Sequence, residues 1–189
     1  MAPAEDLERR PTAFVVVESM FGNTEQVARA VAEGLGRTHP VTVTEVGHAP
    51  DQIPQDTVLL VVGGPTHAFG LSRPESRRDA ASLATGPVPS TGRGLREWLD
   101  GLGEATSEIP FATFDTRVAT PHLPGSAAKK ARKRLRSKGL ASIVDPESFY
   151  VHGKAGPLAD GEEDRARAWG EALGEQLSHT GSSATTRRP

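Results

Sequence analysis

Residues 14–24 read Phe-Val-Val-Val-Glu-Ser-Met-Phe-Gly-Asn-Thr, and no other stretch limits the possible folds as strongly. A run of β-branched residues, suited to a strand covered on both faces, stops in a small polar loop that contains Gly22. A helical pattern starts at once, with Val27, Val31 and Leu35 on one face and Ala28, Ala30 and Ala32 beside them. Strand, tight loop and helix start, in that order, build an anion site. The first helical N–H groups have no intrahelical partner, and the helix dipole makes that end electropositive. Ser19, Asn23 and Thr24 add hydroxyl and amide groups at the same point, and no Lys or Arg lies within the loop. Bonds to a charged group contribute about 1.5–3 kcal/mol each, so several neutral donors suffice to hold a phosphate.

The rest of the chain repeats this alternation. Strand patterns occupy Ala13–Glu18, Val41–Val46, Thr57–Val62, Phe111–Val118 and part of Pro146–His152. Helical patterns cover Thr24–Gly36, Leu95–Leu102, Ser126–Lys138 and Asp160–Leu177, and Ser72-Arg-Pro-Glu75 has the form of a capping box. Five strands interleaved with helices predict an α/β fold, a doubly wound five-stranded parallel sheet. Such sheets bind ligands at the carboxyl ends of their strands. Three loops are expected there: Ser19–Thr24, Gly64–Gly70 and the segment after Phe114. Residues 12–178 form the expected domain, flanked by tails at 1–11 and 179–189.

Composition narrows the chemistry. The 189 residues include no cysteine, which removes disulfides, iron–sulfur clusters and thiol nucleophiles. The six histidines show no paired metal spacing, and there is no Walker-type phosphate loop or dinucleotide fingerprint. The longest apolar runs are too short to span a bilayer and the start lacks a signal-peptide core, so a cytoplasmic location is expected. A net charge of −2 predicts no general attraction to nucleic acid or membrane. The basic run from Ser126 to Lys138 reads as a solvated amphipathic helix, with docking of an acidic partner as the alternative.

The first loop, Ser19-Met20-Phe21-Gly22-Asn23-Thr24, resembles the phosphate loop T-x-T-G-N-T of the flavodoxin-like family. Its Gly-Asn-Thr end matches fully; Ser19 stands for the first Thr and Phe21 for the third. The loop Pro65-Thr66-His67-Ala68-Phe69-Gly70 is similar to the family's Pro-Thr-aromatic-x-x-Gly, with His67 in the aromatic place and Ala68 where many members carry Gly. Phe114-Asp115-Thr116-Arg117 aligns with Phe-Gly-x-Gly at the end of the fourth strand, without either glycine. Thr120–Gly125 supplies no aromatic to cover the outer flavin face, and the one tyrosine, Tyr150, sits in the fifth strand.

The resemblance implies a flavodoxin-like three-layer sandwich that binds FMN. Ser19–Thr24 would cradle the phosphate, Pro65–Gly70 would flank the ring, and Asp115, Thr116 and Arg117 would approach its pyrimidine side. Arg117 facing the flavin would favour the added negative charge of the reduced cofactor, and Asp115 would oppose it. Either His67 and Phe69 alone cover the ring, or tight FMN binding has been lost. The function implied is electron transfer between redox partner proteins, or to a small-molecule acceptor. The alternatives are an FMN-dependent NAD(P)H:quinone-type reductase and a flavin-free interaction domain. The spacer from Leu71 to Gly94 could be a lid, a dimer contact or a plain loop.

Overall fold

In the computed structural model, residues 11–67, 70–103, 109–119 and 124–185 are described. Among these residues six strands and five helices follow one another: β1 Thr12–Val17, α1 Asn23–Leu35, β2 Val41–Glu45, β3 Thr57–Pro65, α2 Pro74–Leu83, α3 Leu95–Gly101, β4 Pro110–Val118, α4 Ala127–Ser137, β5 Ala141–Ser142, β6 Glu147–Val151 and α5 Glu162–Thr185. A 3-10 turn, Val46–His48, follows β2. All strand pairs are parallel and the order is β2-β1-β3-β4-β5.

The fifth position is shared by two segments. β5 pairs with Pro110 and Phe111 at the start of β4, and β6 pairs with Phe114–Val118 at its end. The single strand expected within 146–152 is therefore the second half of a broken one. Pro146, which lacks an N–H, stands immediately before the second half. Helix α5 continues to Thr185, beyond the boundary at 178 read from the sequence. The expected tail of residues 1–11 lies outside the described residues except for Pro11.

Side-chain alternation along each strand sorts the apolar residues into two layers. Phe14, Val16, Leu60, Val62 and Phe111 pack with Trp98 and Leu99 of α3 and with Leu135 of α4. Ala13, Val15, Val17, Leu59, Val61, Ala112 and Phe114 pack with Val27 and Val31 of α1 and with Ala166 and Leu173 of α5. Phe114, Phe149 and Trp169 meet edge to face, with centroids 5.9–6.1 Å apart. The Phe114 ring occupies the space where a Gly63 side chain would stand, so this part of β3 can only be glycine.

Helices α1 and α5 touch backbone to backbone at two glycines. A Cβ on Gly34 would collide with the carbonyl oxygen of Arg167 and the N–H of Glu171, and one on Gly170 with the backbone of Val31. Alanine inside a helix ordinarily stabilises by about 1 kcal/mol over glycine. Here overpacking reverses the sign, and Gly34→Ala and Gly170→Ala are expected to lower stability by about 1–3 kcal/mol each. Gly101→Ala, with open space around it, should change stability by less than about 0.5 kcal/mol. Urea unfolding of the three variants measures the difference.

Candidate functional site

Gly22 sits in the left-handed region, φ +87°, and is the N-cap of α1. Glycine adopts that conformation without a Cβ penalty, which lets the chain turn from β1 into the helix within five residues. Ser19 braces the turn from inside. Its hydroxyl accepts from the Gly22 N–H at 3.1 Å and from the Glu25 N–H at 3.3 Å. Its backbone pairs with Ser90, the Ser19 N–H donating to Ser90 Oγ and the Ser90 N–H to the Ser19 carbonyl. The first-turn N–H groups of Asn23 and Thr24 donate to no acceptor among the described residues, as the start of an uncapped helix requires.

Thr24 is buried, and its hydroxyl lies 2.7 Å from that of Thr116. That bond ties the first loop to the end of β4. The Thr66 N–H donates to the Thr116 carbonyl, which ties the second loop to the same strand. His67 and Gly70 exchange backbone hydrogen bonds in both directions and so close that loop; Ala68 and Phe69 lie outside the described residues. Burial, with Arg77 as a second cause, holds the His67 imidazole below its ordinary pKa, so the ring is neutral at neutral pH.

Together these loops border a cavity of about 320 Å³ at the carboxyl ends of β1, β3, β4 and β6. Of the residues singled out in the sequence, Met20, Phe21, Asn23, Thr24, Pro65, Thr66, His67, Thr116 and Arg117 line it. Ser19, Gly22 and Gly70 shape the loops behind the wall.

Asp115 does not face the cavity. The pleat turns it to the opposite face of the sheet from Thr116, toward the start of α4. Fully buried, it accepts bonds from Ser126 Oγ (2.5 Å), the Ala128 N–H (3.0 Å), Thr66 Oγ1 (3.0 Å) and Ser148 Oγ (2.8 Å). The sequence reading placed it at the pyrimidine side with only Arg117 for company. Its partners are instead four neutral donors brought in by the fold. Arg117 remains on the cavity wall.

The sequence reading missed one whole wall. Ser76, Asp79, Ala80 and Leu83 of α2 line the cavity, as do Val118, Val151 and Lys154. The capping box pointed to α2 but one residue out of frame. The helix begins at Pro74, the Ser76 hydroxyl accepts from the Arg73 N–H at 2.9 Å, and Ser72 is buried as a partner of Arg77. The position of Lys154 follows only from β6 ending beside β4.

Behind the cavity a second carboxylate is buried. Glu18 Oε2 accepts from the Leu95 N–H at 2.7 Å and so caps α3. Desolvation raises its pKa above the usual carboxylate range, opposed by the Ser72 hydroxyl, the Leu95 N–H and Arg77, while Glu97 adds to the rise. Among the described residues no cluster of His, Cys, Asp or Glu could hold a metal ion, and no helix is long and apolar enough to cross a membrane.

No family model matches the chain. An uptake hydrogenase large subunit from Rubrivivax gelatinosus is 31% identical over 111 residues, 59% of this chain but only 18% of that protein's length. Solved structures agree on the fold. A flavodoxin from the domain Archaea superposes with a TM-score of 0.60 at 16% identity, covering 89% of this chain and 99% of that one. An oxidised flavodoxin 2 from Bacillus cereus gives 0.62 at 16% identity over 87% and 99%. The Flv1 flavodiiron core from Synechocystis sp. PCC6803 gives 0.58 at 15% identity over 92% of this chain and 37% of that one. The chain has the flavodoxin-like fold.

Both buried carboxylates are open to test. Asp115→Ala strands four donors and is expected to cost on the order of 3 kcal/mol or more, with a smaller loss for Asp115→Asn, in denaturant unfolding. Glu18 has the opposite sign. Its folded pKa lies above the unfolded value, so the unfolded chain binds fewer protons and stability falls as pH rises from the unfolded pKa to the folded one. Glu18→Gln should abolish that decline above the ordinary carboxylate range and be at least as stable as the native chain at neutral pH. A steeper decline in the variant would overturn the assignment.

Proposed function

We propose that this protein binds FMN in the cavity at the carboxyl edge of the sheet and carries electrons through it. The observation that carries the reading is the start of α1. The N–H groups of Asn23 and Thr24, without an acceptor among the described residues, follow a left-handed glycine, and both residues line the cavity. That is the donor set a phosphate monoester needs. Arg117 and Lys154 on the walls supply positive charge within the same cavity. The flavodoxin-like fold of the structural neighbours supports the cofactor class.

When bound, FMN supplies the redox chemistry, and the chain positions it and sets its surroundings. The loop at 19–24 would hold the phosphate, with Asn23 oriented by its own bond to the Ala155 carbonyl at 3.0 Å. Pro65, Thr66 and the neutral His67 would lie along the ring. Arg117 would favour the negative charge that reduction adds; about 4 Å from a unit charge, at an effective dielectric near 20, such a cation is worth up to about 4 kcal/mol before screening. The carrier reading is preferred to a reductase because the described cavity presents no second nucleotide-binding signal.

FMN and riboflavin affinities test the phosphate assignment. Thr24 is buried against Thr116, so the informative change is Asn23→Asp, which adds a carboxylate at the loop with little change in size. FMN binding should weaken at least about tenfold and riboflavin binding by less than about threefold. Equal affinity of the native chain for the two ligands would refute the phosphate site. Rapid saturable NAD(P)H oxidation with a quinone would replace the carrier by the reductase.

A further inference from the structure

Helix α2 is held to the body of the fold by little, since only Arg77 and Ala80 of its residues are buried. One side of it nevertheless walls the cavity. Ser76, Asp79, Ala80 and Leu83, one helical turn apart, face the same space as Phe21 and His67. The other side, with Arg78, Ala81 and Ser82, is exposed, Arg78 and Ala81 bordering a separate open groove beside Ser90, Thr91 and Gly92. Leu83 is 59% exposed, one of two large apolar side chains left so open among the described residues. Apolar area left in water at a cavity mouth gains by being covered.

The attachment runs through a buried cation. The Arg77 guanidinium lies 3.0 Å from Ser72 Oγ and 3.0 Å from Glu97 Oε2, and Glu18 and His67 are within its electrostatic reach. Arg77 thus latches α2 to the loop after β3 and to α3, while the cavity face of α2 stays free to make contacts. A plate of Ala80 and Leu83, edged by the Ser76 hydroxyl and the Asp79 carboxylate, complements a planar heteroaromatic ring with N–H groups at its rim.

We propose that α2 is the cover of the cavity, and that Leu83 and Asp79 contact the outer face and rim of the bound flavin. The proposal rests on the FMN reading above and deepens it. It assigns the ring cover to an aliphatic side chain and a carboxylate on α2, where Thr120–Gly125 supplies no aromatic.

The chain has no cysteine, so every introduced thiol is the sole one. Leu83→Cys and Asp79→Cys place thiols on the cavity side, Arg78→Cys and Ala81→Cys on the solvent side. Labelling by an aromatic disulfide reagent is timed with and without FMN, and FMN binding to each variant is read separately from flavin fluorescence. FMN is expected to slow labelling at 79 and 83 by about tenfold or more and to leave 78 and 81 within about twofold. Leu83→Ser, which keeps the helix, should speed dissociation of FMN and riboflavin alike by about tenfold, because the ring and not the phosphate loses contact. FMN bound without protection at 79 and 83, equal protection at all four positions, or unchanged dissociation from Leu83→Ser would each overturn the cover and leave the flavin reading standing. Failure of the native chain to bind FMN would overturn both.

Discussion

Asp115 has no exposure to solvent, and a buried carboxylate survives only where donors surround it. Its four donors come from the loop after β3, from the start of α4 and from β6. Three segments distant in sequence are therefore held against the end of β4 by one side chain. Removing any donor leaves the others in place, but removing the acceptor releases all of them. Thr66 is the link to the cavity, because its hydroxyl donates to Asp115 and accepts from the Ala127 N–H while its backbone pairs with Thr116. The neighbouring peptide of His67 inherits its position from that fixed point.

The pleat of β4 divides scaffold-facing from cavity-facing chemistry. Asp115 turns toward α4 and Thr116 toward Thr24 of α1, because successive side chains of a strand point to opposite faces. The carboxylate is consumed by the scaffold and the hydroxyl joins the cavity. A similar division holds at β1, where Glu18 is buried under α3 while the residues after Ser19 open toward the ligand end of the sheet. Both buried carboxylates accept from the first turns of helices that start behind the cavity, and among the described residues its walls carry neutral donors, two cations and one carboxylate, Asp79, on α2.

Much of this was legible in residue order. The apolar run at 13–17 followed by Gly22-Asn23-Thr24 can be satisfied by few local structures, and the alternation of strand and helix patterns then leaves few topologies. The doubly wound parallel sheet and the strand-loop-helix form of the first loop follow from those patterns, and the strand order from the resemblance to the flavodoxin-like family. The role of Asp115 was not legible, because its donors lie 11 to 49 residues away and none is marked by a local motif. The same is true of Glu18, whose partner Leu95 is 77 residues distant.

The sequence by itself determined periodicity, turn chemistry and the absence of cysteine chemistry, since these depend on neighbours within a few positions. Tertiary structure alone decided which polar groups are buried, that the fifth strand position is shared by two segments, and that α2 walls one side of the cavity. Those outcomes depend on which elements become neighbours. Whether a side chain such as Asp115 or Leu83 faces ligand, scaffold or water is set by contacts across the chain, and local pattern carries no record of them.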